Sequence, residues 1–251
     1  TGRTRFCVNK GGFILNTVLF DLDGTLLPMD LEDFMQAYFG AIGKKSAENG
    51  YDPKELVAGV WTGTKAMMKN DGSETNETRF WNTFAQVMGD RVLNDRAMFD
   101  FFYDNEFCRI GDAVTADPRA NRCVKLLRQK GYTVALATTP MFPKKATLER
   151  MRWAGLDSDD FALVTTYEDY HFAKPSAGYF KEVVQALGKA PADCLMVGND
   201  MTEDMGAKQI GTDIFFLTNH LINKDNIDLS AYRHGGFDEL LDLIKALPDA
   251  I

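Results

Sequence analysis

The chain has only four cysteines, and no two of them form a C-x-x-C pair. Cys7, Cys108, Cys123 and Cys194 are scattered, which argues against a zinc site, a redox pair or a disulfide framework. The sequence also lacks an apolar run long enough to cross a membrane, and its start lacks the apolar centre of a signal peptide. These absences predict a cytoplasmic protein with reduced thiols and no membrane partner.

Basic residues are also in short supply, with 28 Lys and Arg against 36 Asp and Glu and a formal charge of −8. No cluster of Lys and Arg forms a track for a phosphate backbone, so the sequence predicts no nucleic-acid partner. A chain of 251 residues can form one large domain or a core with a smaller partner domain. Monomer and homodimer both stay open. Residues 1–12 precede the first predicted strand, and no function is assigned to them.

Two patterns of hydrophobicity divide the chain. From about Met29 to Ile110 apolar residues recur every three or four positions, which predicts helices only, with breaks where Gly follows or precedes Asn or Asp. From about Asp117 onward helical patterns alternate with short continuous apolar runs, which is typical of a parallel sheet with helices on both faces. Including the first strand, the predicted strands cover residues 18–20, 133–138, 161–166, 194–198 and 212–218.

The predicted fold class is therefore α/β, a Rossmann-like doubly wound parallel sheet with an inserted α-helical domain. The sheet domain takes residues 1–28 and 112–251, and the helical domain takes residues 29–111. Because the insertion follows the carboxyl end of the first strand, we expect it to lie over that edge of the sheet as a lid.

The segment VLFDLDGTLL carries the first chemical signal. Val18 to Phe20 form an apolar strand, and Asp21 and Asp23 follow at its carboxyl end, where open α/β sheets bind ligands. Two carboxylates this close repel each other unless a cation lies between them. An Asp-Gly turn would explain the segment without any function, but D-x-D-G-T is rare enough to favour a site.

Later strand ends supply further polar residues. Thr138 and Thr139 end the second strand, and Lys174 precedes Pro175 and a predicted helix. Each is an ordinary residue at its position when taken alone, since Thr favours strands and Lys is usually solvated. A hydroxyl and an ammonium at this edge could nevertheless hold an anionic oxygen, and the ammonium would keep a neighbouring carboxylate ionised.

A third acidic group follows the strand CLMVG. Asp200 lies just past its end, whereas Glu203 and Asp204 stand in a predicted first helical turn, where acidic residues also act as helix caps. Carboxylates meeting at one edge with no His or Cys nearby favour magnesium over zinc as the bound cation.

The order of these motifs resembles that of the haloacid dehalogenase superfamily. The motifs are DLDGT, Thr138 at a strand end, Lys174-Pro175, and GND-x-x-x-D from Gly198 to Asp204. They span nearly the whole chain, and the helical segment between the first two corresponds to the family's cap domain. The resemblance implies a Rossmann-like core with a helical cap and a Mg²⁺ cofactor.

The resemblance also implies roles for individual residues. Asp21 corresponds to the nucleophile that forms an aspartyl-phosphate, and Asp23 to the acid/base that protonates the leaving group and then activates water. Thr138 and Lys174, together with Thr139, correspond to the group that binds phosphate. Asp200 would hold the metal with Asp21 and the backbone carbonyl of Asp23.

Two departures from the family pattern leave alternatives open. Many members have Thr-Asn at the second motif, where this chain has Thr138-Thr139, so a substrate contact by that Asn is not implied here. Many have Gly-Asp at the fourth motif, where Asn199 stands here. Any of Asn199, Asp200 and Asp204 can be the metal ligand, with Asp200 preferred and Asp204 second.

The second Asp of the first motif favours a phosphatase over a dehalogenase, because an ester oxygen must be protonated as it leaves and a halide need not be. The predicted function is Mg-dependent hydrolysis of a small-molecule phosphate monoester. A sugar-phosphate phosphomutase and a catalytically silent binding module stay as alternatives. Substrate contacts from the insertion, such as Lys65, Arg79 or Trp81, are less expected than packing or solvation at those positions.

Overall fold

The computed structural model describes residues 15–250, so residues 1–12, to which no function is assigned, lie outside it. Its centre is a six-stranded sheet in which every pairing is parallel. The strands are β1 (Thr17–Phe20), β2 (Thr133–Leu136), β3 (Leu163–Val164), β4 (Cys194–Gly198), β5 (Asp213–Leu217) and β6 (Arg233–Gly235). Their order across the sheet is β3-β2-β1-β4-β5-β6. The predicted parallel α/β sheet is confirmed.

Strand β1 lies between β2 and β4, and all four of its residues are buried. Val18 and Phe20 pack in one hydrophobic cluster, while Leu19 between them packs in a second cluster on the opposite face. Both faces of the sheet are therefore covered, which explains why the strand is a continuous apolar run without alternation.

Five helices flank the sheet in alternation with its strands. They are α6 (Pro118–Gln129), α7 (Lys144–Trp153), α8 (Ala177–Ala186), α9 (Gly206–Gln209) and α10 (Phe237–Ala246), and the five helices that precede them along the chain belong to the segment between β1 and β2. Residues of α6 and α10 belong to the first cluster, and residues of α8 and α9 belong to the second. Helices on both faces make the sheet doubly wound. None of the helices within residues 15–250 has the length and apolarity needed to cross a membrane.

Three elements of the sheet-bearing part differ from the prediction. Strand β6, with the sequence RHG, was not predicted because an arginine, a histidine and a glycine, none of them buried, give no apolar run. Strand β3 is two residues long, because only Leu163 and Val164 pair with β2. The helix predicted over residues 201–211 is a series of turns followed by the short α9.

Between β1 and β2 the chain forms the helical insertion, which we define as residues 29–111. It contains α1 (Leu31–Glu48), α2 (Pro53–Met68), α3 (Asn76–Met88), α4 (Arg91–Asn94) and α5 (Arg96–Asn105). A 3₁₀ segment over Phe107–Ala113 follows α5 and extends two residues past the end of the insertion. Asp30, Asp52 and Thr75 accept hydrogen bonds from backbone N–H groups at the starts of α1, α2 and α3. The four-residue α4 was not predicted, since it is too short to show a period.

Asn76, at the start of α3, ties the insertion to the loops that follow β2 and β3. Its backbone N–H donates to the carbonyl oxygen of Tyr170 at 2.8 Å. Its side-chain amide donates to the carbonyl oxygens of Pro140 and Phe172, each at 3.2 Å. Both loops leave the carboxyl edge of the sheet, so these bonds place the start of α3 beside that edge.

Candidate active site

Asp21 follows β1 directly and is 8% exposed. The ammonium of Lys174, whose side chain is fully buried, donates to Asp21 Oδ1 at 2.7 Å and to Asp204 Oδ1 at 2.7 Å. The three residues come from the loops after β1, β3 and β4, so the sheet topology brings them together at its carboxyl edge. One buried cation thus joins the first, third and fourth sequence motifs.

A second link runs through Thr25. Its hydroxyl is within hydrogen-bond distance of Asp21 Oδ2, at 3.2 Å, and of Asn199 Oδ1, at 3.1 Å. The turn that brings it there needs Gly24, which has a φ of 76° and whose place leaves no room for a Cβ beside the amide of Asn199. The Gly-Thr pair of DLDGT therefore serves to fold the chain back onto its own Asp.

Asp23 is held on the other side of the turn by Arg150 of α7. Arg150 Nη1 donates to Asp23 Oδ2, and the arginine side chain is 1% exposed. Asp23 Oδ1 is shielded from solvent and has no hydrogen-bond partner among the described residues. Burial raises the pKa of Asp23, as does the charge of Asp21, although Arg150 counteracts both. The Asp23 carboxyl is thus suited to carry a proton.

Asp200 and Asp204 differ in what they contact. Asp200 Oδ1 accepts the backbone N–H groups of Thr202 at 2.7 Å and Glu203 at 3.0 Å, so this oxygen closes the turn after β4. Asp204 is 1% exposed, and its Oδ2 accepts the backbone N–H of Asp200 at 3.0 Å. A Cβ on Gly198 would collide with the Asp204 carboxylate, so the glycine makes room for it.

The two threonines after β2 are oriented differently. Thr138 is buried, and its carbonyl oxygen accepts from the hydroxyls of Thr165, at 2.6 Å, and Tyr179, at 2.8 Å. The hydroxyl of Thr139 donates to Glu203 Oε2 at 2.8 Å. Burial raises the pKa of Glu203 to about 7, with Lys174 and the bond from Thr139 opposing it. Glu203 therefore adds less than a full negative charge to the site near neutral pH.

The Lys174 side chain stays protonated. Burial by itself would lower the pKa of this amine, but the carboxylates of Asp204 and Asp21 more than offset it and raise the pKa above its ordinary range. A permanent buried cation that contacts two carboxylates suits a site for an anionic oxygen group.

The residues predicted as metal ligands do not all converge. Within residues 15–250, no three His, Cys, Asp or Glu side chains form a group that could hold a metal ion by themselves. Asp21 lies near Asp204 through their shared lysine, whereas Asp23 contacts Arg150 and Asp200 closes a turn. The amide oxygen of Asn199 and Asp21 Oδ2 both contact the hydroxyl of Thr25, which brings Asn199 to the same site.

Arg150 and Thr25 are the site residues that sequence analysis missed. Arg150 had a signal, because it falls on the buried face of α7 with Ala146, Thr147 and Met151, where a charged residue is unexpected. Thr25 has no signal in the sequence beyond its place in the DLDGT segment. Of the insertion residues considered as substrate contacts, Arg79 forms ion pairs with Asp71 and Glu74, and Trp81 is 6% exposed.

The fold is thus a parallel α/β sheet whose central strand ends at Asp21, the candidate nucleophile, with the Lys174 ammonium paired to it. A family model described as haloacid dehalogenase-like hydrolase matches residues 15–211. The chain belongs to this family of haloacid dehalogenase-like hydrolases, and the family resemblance of its motifs is confirmed.

Known proteins similar to the chain agree with this assignment. Pyrophosphatase PpaX of Bacillus cereus is 24% identical over 237 residues, covering 94% of this chain and 97% of that protein. The structure resembles that of a HAD phosphatase from Thermococcus onnurineus, with a TM-score of 0.59, 22% identity and coverage of 94% and 100% of the two chains. It also resembles a 2-haloacid dehalogenase from Pseudomonas syringae, with a TM-score of 0.61, 18% identity and coverage of 92% and 99%. At these identities the structural likeness establishes the fold alone.

Proposed function

We propose that the protein is a magnesium-dependent phosphatase that hydrolyses a small-molecule phosphate monoester through an aspartyl-phosphate on Asp21. The observation that carries this proposal is the buried Lys174 ammonium, 2.7 Å from both the Asp21 and the Asp204 carboxylates. A nucleophile for phosphoryl transfer must stay ionised and lie beside positive charge, and this contact supports both requirements. The similarity to PpaX, named a pyrophosphatase, favours a phosphate-containing substrate.

In the first step a carboxylate oxygen of Asp21 attacks phosphorus and forms the acyl-phosphate bond. The bond from phosphorus to the ester oxygen breaks, and its electron pair goes to that oxygen. The carboxyl of Asp23 supplies the proton that turns the leaving oxygen into a hydroxyl. The raised pKa of Asp23 supports its role as the acid.

In the second step a water molecule attacks the phosphorus of the aspartyl-phosphate. The Asp23 carboxylate takes a proton from this water, the bond from phosphorus to Asp21 breaks, and inorganic phosphate and the Asp21 carboxylate result. Lys174 offsets negative charge in both steps, and the loop of Thr138 and Thr139 provides further contacts for the phosphoryl oxygens. The enzyme returns to its starting state with Asp23 protonated again.

The oxygen atoms at this edge fit magnesium. Magnesium in proteins is usually held by one or two carboxylates, with water and substrate phosphate completing its shell, so three converging acids are not needed. Asp21, the backbone carbonyl of Asp23 and one residue among Asn199, Asp200 and Asp204 would hold it, and the contact network favours Asn199 or Asp204 over Asp200 for that last position. Bound there, magnesium would offset negative charge on the phosphoryl group and help to align it.

The helical insertion would act as the lid of this site and the sheet-bearing part as the catalytic domain. The bonds of Asn76 to the loops after β2 and β3 support this division, because they anchor the insertion beside the site. A lid over the site favours small soluble esters over phosphoproteins, since a closed lid excludes large substrates. The predicted partner is therefore a small molecule.

The test is magnesium-dependent phosphate release from an aryl phosphate and a panel of small phosphate esters, comparing wild type with Asp21→Asn. We expect turnover in wild type that disappears on chelation and in the variant. Asp213→Asn is the matched control, because Asp213 begins β5 at the opposite end of the sheet and is exposed. Folded, magnesium-loaded wild type without turnover on any ester would contradict the proposal and favour a mutase or a binding module.

A further inference from the structure

Arg150 is the largest side chain that the structure buries completely. It lies on the buried face of α7, and its exposed fraction is 1%. A guanidinium withdrawn from water in this way requires a charged partner, because an unpaired buried charge is strongly destabilising. The partner is the carboxylate of Asp23. In the proposed reaction, Asp23 is the residue that donates and accepts the proton.

The guanidinium is fixed from several directions. Its carbon atom lies 4.5 Å from the centroid of the Phe142 ring, an arrangement that favours a cation over the aromatic face. Two weaker bonds, each 3.4 Å, run from Nε to the carbonyl oxygen of Ala146 and from Nη2 to the hydroxyl of Thr147. Arg150 is therefore held in one orientation by its own helix and by Phe142.

The two oxygen atoms of the Asp23 carboxyl differ in consequence. Oδ2 accepts the hydrogen bond from Arg150 Nη1. Oδ1 is buried and has no partner among residues 15–250. A buried acceptor without a partner is unfavourable unless a ligand supplies the hydrogen bond, so Oδ1, unlike Oδ2, is the oxygen without a protein partner that a bound ligand could engage.

We propose that Arg150 is a positioning residue, which holds the Asp23 carboxyl by Oδ2 so that Oδ1 carries the proton to the leaving group and receives it back from water. The inference rests on the proposed function. A carboxyl that keeps one orientation spends no time in unproductive rotamers, and proton transfer is sensitive to such displacements. The guanidinium also stabilises the carboxylate that forms each time Asp23 gives up its proton.

The test uses two substrates that differ only in their need for a proton. An alkyl phosphate has a strongly basic leaving oxygen and needs the acid, whereas a nitrophenyl phosphate leaves as a stable anion and needs it little. We would measure kcat/KM on both for wild type, Arg150→Met and Arg150→Lys. Arg152→Met is the matched control, because Arg152 lies on the same helix with 71% of its side chain exposed and pairs with Glu149.

We expect Arg150→Met to lower kcat/KM for the alkyl ester about 100-fold and for the aryl ester about fivefold or less. Arg150→Lys should fall between wild type and Arg150→Met on the alkyl ester, and Arg152→Met should stay within about twofold of wild type on both. In an Asp23→Asn background, adding Arg150→Met should not change the ratio of kcat/KM for the alkyl ester to kcat/KM for the aryl ester, because the carboxyl that Arg150 positions is already absent.

An equal fall on both esters, or no fall on either, would overturn the proposal and leave Arg150 with a structural role. The ratio of the two kcat/KM values is taken on one sample, so it does not depend on the folded fraction, and Arg150→Lys supplies it if Arg150→Met does not fold. Failure of the proposed function is seen separately, since it would appear as wild type without turnover or as Asp21→Asn with activity retained.

Discussion

The carboxyl edge of the sheet and the helical insertion both contain buried side chains, but the side chains are of different kinds. At the edge, the completely buried groups include a charged lysine between two carboxylates. In the insertion, the buried side chains are mostly apolar and include many aromatic rings, with Phe84 packed against the rings of Trp81 and Phe99 at centroid distances of 5.9 Å and 5.7 Å. Charged groups are costly to bury and aromatic groups are not, so the contrast separates residues placed for chemistry from residues placed for packing.

Arg150 lies where these two regions meet. Its guanidinium contacts Asp23 on one side and the Phe142 ring on the other. The Phe142 ring in turn packs against Tyr38 of α1, with 5.4 Å between their centroids. A charged residue of the site thus rests on the aromatic packing that joins the insertion to the sheet.

The largest effect is expected from removing the nucleophile. Asp21→Asn keeps the size of the side chain but not its charge, and we expect kcat/KM to fall by about 10⁴-fold or more. The free energy of unfolding should change little, because an amide of the same size still fits beside Lys174. Phosphate release and urea unfolding measure the two quantities. If the variant keeps a tenth of the wild-type activity, Asp21 is not the nucleophile, and the claim that the sheet edge carries the chemistry is contradicted.

The second effect concerns the buried charges. Lys174→Met removes a fully buried cation and leaves Asp21 and Asp204 uncompensated, so we expect the free energy of unfolding to fall by about 3–5 kcal/mol. Adding Asp204→Asn should restore part of this loss, because only one buried carboxylate then stays charged. Urea unfolding with chelator present measures both variants. A double variant no more stable than Lys174→Met would show that the charges are not coupled.

A smaller effect is expected within the insertion. Phe84→Leu removes part of a completely buried ring, and we expect a loss of about 1–2 kcal/mol in the free energy of unfolding. The kcat of the folded protein should stay within about twofold of wild type. Val87→Ala is the control, because this residue lies on the same helix and is 51% exposed. A tenfold fall in kcat for Phe84→Leu would instead make the insertion's packing part of the catalytic machinery.

The smallest effect is expected at the surface of α2. Lys65 is exposed, so Lys65→Ala should leave KM for each active ester within about twofold of wild type. A steady-state comparison across the substrate panel measures this. A large rise in KM for one ester alone would identify Lys65 as a substrate contact. The insertion would then bind substrate as well as pack against the sheet.

Much of the fold could be predicted from the sequence because its signals are local. Strand β4 coincides with the apolar run CLMVG, and α1, α2 and α3 begin beside Asp30, Asp52 and Thr75, whose side chains accept backbone hydrogen bonds there. The three residues of β6 form a strand only because β5 lies beside them, which is a tertiary effect that no local pattern records.

The candidate site was less predictable where long-range contacts decide. Asp21 and Lys174 could be named from their motifs, and the structure brings them together. The pairing of Arg150 with Asp23 joins residues 127 positions apart, and no local pattern indicates it. The choice of metal ligand also depends on how the turn after β4 folds. In that turn the backbone N–H groups of Thr202 and Glu203 donate to Asp200 Oδ1, a contact that the sequence does not indicate.

The stereochemistry of hydrolysis at phosphorus tests the central claim most directly. A phosphorothioate ester made chiral with oxygen isotopes would be hydrolysed in isotopically labelled water, and the configuration of the product determined. Two successive in-line displacements, first by Asp21 and then by water, predict overall retention of configuration. Inversion would mean that water attacks the ester directly, and it would contradict an aspartyl-phosphate on Asp21.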